Sequence, residues 1–210
     1  MTYFLLYLVL FNAAWTMWVL LGYSHLRALG EQTLAYALVN VGVRFVIWVL
    51  PVFAYLRYVD RVNPLTYLKL RQHWVRGVVV ALIFSALNFC LTLVQKGLPN
   101  FHSAAVSWNG ILSTSLLIGF VEEIPYRGFV FQKLLERFSL TVATLLSAVL
   151  FVAIHLPGWI SLHLFKTTTA IFVFVFGILM VLLLRFARSL WAPIISHSLN
   201  DYFSAVLFRI

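Results

Sequence analysis

The sequence predicts an all-α fold, a polytopic bundle of about seven to eight transmembrane helices forming one integral membrane domain over 1–210. Three observations carry that prediction. Hydrophobic residues make up 63% of the chain and charged residues 10%, against about 45–50% and about 25% in soluble domains. So few charges cannot cover a water-facing surface without leaving aggregation-prone patches, which excludes soluble, disordered and disulfide-stapled classes. Apolar runs of membrane-spanning length, roughly 20 residues, recur along the chain with only short loops between them. The runs are also long and uninterrupted, so helices rather than barrel strands must satisfy their backbone groups.

Taken in order, the apolar segments are roughly 3–22, 34–58, 74–95, 104–121, 139–156, 168–184 and 190–208. The first follows Thr2 directly, lacks a basic leader and is too long for a cleavable signal peptide. The third holds the single cysteine, Cys90, which has no intrachain disulfide partner and reads as a small buried hydrophobe. The fourth ends at the pair Glu122–Glu123, on a helix end near the basic side of the membrane. The fifth carries His155 and is expected to end at Pro157–Gly158. The sixth is apolar throughout, and the seventh contains His197, Asn200 and Asp201.

The net charge is +9, and its distribution explains it better than nucleic acid does, for which there is no binding motif. The loop after the second segment carries Arg57, Arg61, Lys69, Arg71 and Arg76. The loop after the fourth carries Arg127, Lys133 and Arg137, and the loop after the sixth carries Arg185 and Arg188. The other side has Arg27, Lys96, Lys166 and Arg209. That bias predicts a cytoplasmic N-terminus and an external C-terminus. The implied partner is the lipid bilayer and its anionic head groups.

A polar group at membrane depth is costly, so the ionisable residues inside apolar runs are the informative ones. Glu31, Asp60 and Glu136 lie at loops or helix ends. His25, His73 and His102 lie in polar or boundary stretches, and His163 in a loop. Glu122, Glu123, His155, His197 and Asp201 remain. Adjacent carboxylates on a helix point about 100° apart, and Glu123 with Arg127 forms an i,i+4 pair, which leaves Glu122 free on another face. Phe151 and His155 share a face at i,i+4, as do His197 and Asp201, with Asn200 alongside. Pro125 fits either the first turn of a new helix or a kink in a continuing one. A Glu beside a His can hold and deprotonate water, and a second His can donate to a developing oxyanion. That equipment suits hydrolysis of a carbonyl compound without a covalent intermediate. The same residues also fit a proton-coupled transporter or a non-catalytic membrane scaffold or immunity protein. No His-Glu-x-x-His, Gly-x-Gly-Asp or Gly-x-Ser-x-Gly motif is present. No cofactor is expected; a two-Glu, two-His metal centre stays chemically open but is not favoured.

The motifs resemble a known family. Glu122-Glu123-Ile124-Pro125-Tyr126-Arg127 is similar to the Glu-Glu-x-x-x-Arg motif of the CAAX prenyl protease and bacteriocin-processing (Abi) family. Phe151 to His155 resembles its Phe-x-x-x-His motif, and His197 to Asp201 its His-x-x-x-(Asn/Asp) motif, preceded by a similar Ser189-Leu190-Trp191-Ala192-Pro193 lead-in. The likeness covers about 104–208. It implies a glutamate-type intramembrane endopeptidase of a bacterial or archaeal cell membrane, acting on a membrane-associated peptide or protein. By position, Glu122 and His155 would activate water and His197 and Asp201 would form the oxyanion site, with Glu123, Arg127, Phe151 and Asn200 in support. Prenyl proteases carry Asn where this chain has Asp201. An ionised carboxylate repels an oxyanion, so Asp201 must be protonated, orient His197, or yield its role to Asn200.

Overall fold

The computed structural model describes residues 2–99 and 107–208. The start of the fourth segment and of the family-like region (104–106), His102 and Arg209 lie outside the described residues. Among the described residues there are helices and no strand.

Five helices are long and apolar enough to cross a membrane: α1 (Thr2–Arg27), α2 (Leu34–Val59), α3 (Trp74–Lys96), α5 (Leu140–Ser161) and α6 (Thr167–Ala187). Two more, α4 (109–135) and α7 (191–208), carry the polar motifs, and Glu122, Glu123, Arg127, His197 and Asp201 lower their hydropathy. The chain is therefore an integral membrane bundle. Large apolar side chains such as Val94 and Leu98 lie on the outside, 87% and 88% exposed, while Glu122, Glu123, Arg127 and His197 are buried.

Local chemistry sets the ends. Thr33 caps α2 by accepting from the Tyr36 amide at 3.1 Å, and Ser139 caps α5 by accepting from Val142. Gly97 closes α3 at φ 81°, where a side chain would be strained. An aromatic stripe on α1, Phe4, Tyr7, Phe11 and Trp15, repeats at helical spacing and packs edge-on against Phe129 of α4 and Trp48 of α2.

The loops after α2, α4 and α6 meet at one end of the bundle. Gln132 Nε2 donates to the Tyr67 carbonyl at 2.9 Å, the Leu190 amide to Lys69, and Trp191 Nε1 to Leu70 at 2.9 Å. Lys133 Nζ reaches Asp60 at 2.9 Å and Glu136 at 3.0 Å. Although partial burial lowers the Lys133 pKa, those two carboxylates outweigh it and hold the pKa above the ordinary lysine value. Lys69 is pushed down by burial and by Arg185 and Arg188.

Three expectations are corrected. Glu122 does not lie at a helix end: α4 continues through Pro125 to Leu135, with wide π-type turns over Ile124–Val130 absorbing the proline. The charges in Glu122–Arg127 are satisfied inside the bundle, by each other and by Arg44 and His197 of neighbouring helices, so they do not mark the water boundary. The break in α5 comes at Ile154–His155, ahead of Pro157, which instead occupies the first turn of the resumed helix Leu156–Ser161. Cys90 is exposed. Lipid-facing and buried positions are equally apolar in a membrane helix, so an apolar run cannot separate them.

Candidate active site

Glu122 and Glu123 lie in the middle of α4, about 20 Å from either end at 1.5 Å per residue. The helix turns them to different partners. Glu123, fully buried, receives Arg127 Nη1 at 3.1 Å and His197 Nδ1 at 2.6 Å on the same oxygen, Oε1. The Arg127 guanidinium stacks 4.0 Å over the Phe151 ring, which gives a buried cation a favourable face. The expected Glu123–Arg127 bridge is therefore present, and Arg127 is a bundle residue and not part of the basic loop.

Glu122 Oε2 lies 3.9 Å from His155 Nε2 and 3.9 Å from His197 Nε2. The His155 Nδ1 donates to the Phe151 carbonyl at 2.7 Å, which leaves Nε2 facing the carboxylate. The break in α5 places this imidazole, since the ring leaves the helix at its interrupted turn. Asp201 Oδ2 stands 3.6 Å from His197 Nε2. Glu122, His155, His197, Asn200 and Asp201 line one cavity of about 250 Å³. The four residues expected in one site thus meet there, from α4, α5 and α7.

The close approach of α7 to α4 has a local cause. At Gly119, one turn before Glu122, a β-carbon would collide with the Ile194 carbonyl and the Ser198 hydroxyl. Ser198 donates to the Leu116 carbonyl at 2.9 Å, which fixes the contact. On the other side of His197, Asn200 is committed: its Nδ2 donates to Asp201 at 3.0 Å and its Oδ1 accepts from Asn88 Nδ2 at 3.0 Å.

Three contributors come from α1–α3 and were not expected. Arg44 of α2 places Nη1 3.4 Å from Glu122 Oε1, and its Nε has no hydrogen-bond partner among the described residues. Asn88 of α3 anchors Asn200, and Trp15 of α1 donates to the Ile154 carbonyl at 3.1 Å, just before His155. Arg44 was legible: it is a cation inside an apolar run, belonging to neither charged side, and such a residue calls for a partner at depth. Asn88 and Trp15 give no such signal.

The site's motifs match a family. Residues 104–203 fit the description type II CAAX prenyl endopeptidase Rce1-like. The matched region, just under half of the chain, is similar to CAAX-type endopeptidases, in agreement with the resemblance of the three motifs. No curated protein and no solved structure matches the chain. Among the described residues no group of three or more His, Cys, Asp or Glu side chains is arranged to hold a metal ion.

Proposed function

We propose that this protein is a glutamate-type intramembrane endopeptidase in which Glu122 activates the attacking water. The observation that carries the reading is the shared 3.9 Å spacing of Glu122 Oε2 to His155 Nε2 and to His197 Nε2. A water about 2.8 Å from both the carboxylate and His155 bridges that gap at an angle of about 90°. Glu122 takes a proton as the water oxygen bonds to the carbonyl carbon. His197, held by Glu123 through Nδ1, donates from Nε2 to the oxyanion. As the tetrahedral intermediate collapses, the C–N bond breaks and Glu122 returns its proton to the leaving amine.

Asp201 approaches His197 from the cavity side, and Asn200 holds it there; a carboxylate beside an imidazolium need not repel the oxyanion that the imidazolium binds. No residue here requires a metal for these steps. The substrate is a membrane-associated peptide or protein. Prenylated C-termini, leader peptides and C-terminal anchor tails all fit.

The test uses protein purified in detergent, a mixture of membrane peptides and product detection by mass. Glu122→Gln keeps the shape and loses the base, so kcat should fall about 10²–10⁴-fold with the thermal midpoint unchanged, and a chelator should leave the parent enzyme active. Full activity in that variant overturns the mechanism. Loss with chelator that zinc restores makes the same residues a metal site.

A further inference from the structure

We propose that Lys69, Arg76, Arg185 and Arg188, where the α2–α3 loop meets the α6–α7 turn, bind the phosphate of an anionic phospholipid. These residues do not touch Glu122, and the binding is independent of the endopeptidase reading.

Two hydrogen bonds fix the junction. The Leu190 amide donates to the Lys69 carbonyl at 3.2 Å, and Trp191 Nε1 donates to the Leu70 carbonyl at 2.9 Å. Lys69 is thereby held beside Arg188, and both stand in the left-handed region at φ 57°, which favours glycine. Arg76 of α3 places its guanidinium carbon 5.3 Å from the centre of the Phe186 ring, and Phe186 follows Arg185 in sequence. The four cations therefore gather at one end of the seam between α3 and α6.

No carboxylate is left to neutralise them. The described residues include all six Asp and Glu side chains, and each is engaged elsewhere. Glu31 pairs with Arg27, Asp60 and Glu136 with Lys133, Glu122 with Arg44 and Glu123 with Arg127, while Asp201 lies beside His197. Helix electrostatics does not explain the cluster either. Arg185 and Arg188 suit the C-terminal end of α6, but Arg76 stands in the first turn of α3, where the macrodipole disfavours a cation. Lys69 is partly buried, and burial with Arg185 and Arg188 lowers its pKa. The protein alone thus works against these charges, and an anion among them offsets that cost.

The surroundings favour a lipid as the source of the anion. Next to the cluster, α3 and α6 turn Val75, Val79, Leu182 and Phe186 outward, all exposed. Trp74, also exposed, opens α3 at the same level, where interfacial aromatics anchor membrane helices. Acyl chains lie along those apolar faces while the phosphate meets the cations at the helix ends. An acidic peptide or a free phosphate would gain nothing from the apolar faces.

The experiment titrates the protein, purified in neutral detergent, with four probes and reads the thermal midpoint. The probes are phosphatidylglycerol, phosphatidylcholine with the same acyl chains, inorganic phosphate and a polyglutamate peptide. Phosphatidylglycerol should raise the midpoint saturably, and the other three should leave it near its starting value. Lys69→Gln combined with Arg76→Gln should raise the half-saturating concentration about fivefold for each cation removed. Arg57→Gln combined with Arg137→Gln removes two exposed cations of the same end outside the cluster, and should change it by no more than about twofold. Without lipid, the Lys69→Gln, Arg76→Gln variant should melt at or above the parent, because repulsion has been relieved. Equal losses in the two double variants would make the effect one of overall charge and overturn the site. A midpoint below the parent's without lipid would overturn it too, by showing that the protein itself satisfies those cations. A shift given equally by inorganic phosphate or polyglutamate would overturn the lipid as ligand. The midpoint needs no catalysis, so the result stands whether or not Glu122→Gln is active.

Discussion

Helices α4–α7 and helices α1–α3 contribute to the same site by different means. In α4–α7 the polar groups are numerous, mutually bonded and buried: Glu123 holds Arg127 and His197, and Phe151 carries the guanidinium face. In α1–α3 the contributions are single side chains on otherwise apolar helices: Arg44 beside Glu122, Asn88 on Asn200, Trp15 on the turn before His155. The difference teaches that the first group both holds the bundle together and does chemistry, whereas the second group tunes a bundle already held together by its aromatic stripe. Variants in the two regions should therefore fail differently.

The largest effect is expected at the buried pair. Arg127→Ala leaves the buried Glu123 with His197 Nδ1 as its remaining partner and removes the cation over Phe151, and breaking a buried pair in this way costs about 3–5 kcal/mol. Thermal unfolding in detergent should show a large drop in midpoint together with lost cleavage. A stable but inactive variant would mean that the pair is not structural.

A smaller effect, confined to activity, is expected at Arg44. Removing one charge-assisted contact to Glu122 costs about 1.5 kcal/mol, a factor of about ten. Arg44→Gln should lower kcat by that factor with KM and thermal midpoint near the parent's. Arg44→Lys should recover part of the loss, as a point charge without the planar fork. An unfolding penalty matching that of Arg127→Ala would erase the distinction between the two regions.

The smallest effect is expected at Asn88, whose hydrogen bond acts on Asp201 only through Asn200. Interhelical hydrogen bonds in membranes are worth about 0.6 kcal/mol, so Asn88→Ala should cost about threefold in kcat. A loss as large as that of Glu122→Gln would give Asn88 a direct part in the reaction.

The two regions were also unequally legible in the sequence. The i,i+4 spacing of Glu123 and Arg127 defines their pairing, because helical geometry alone brings them together. The convergence of His155 and His197 on Glu122 followed from the cost of isolated polar groups in lipid. Depth was misread at Glu122, since a charged stretch looks the same at a helix end and in the middle of a bundle that satisfies it. The His197–Glu123 bond was not legible either: it links residues 74 apart in sequence, and only the close packing at Gly119 makes it possible. Asn88 and Trp15 are ordinary residues of apolar helices until the fold brings their partners near.

The most direct test of the central claim follows the oxygen. A single turnover is run in water enriched in heavy oxygen, and both the product peptide and the Glu122-containing fragment of the enzyme are weighed. Direct attack by a Glu122-activated water predicts that the new product carboxylate carries heavy oxygen and that Glu122 carries none. Ordinary oxygen in the first-turnover product, with heavy oxygen in Glu122, would show the carboxylate acting as a nucleophile and contradict the account.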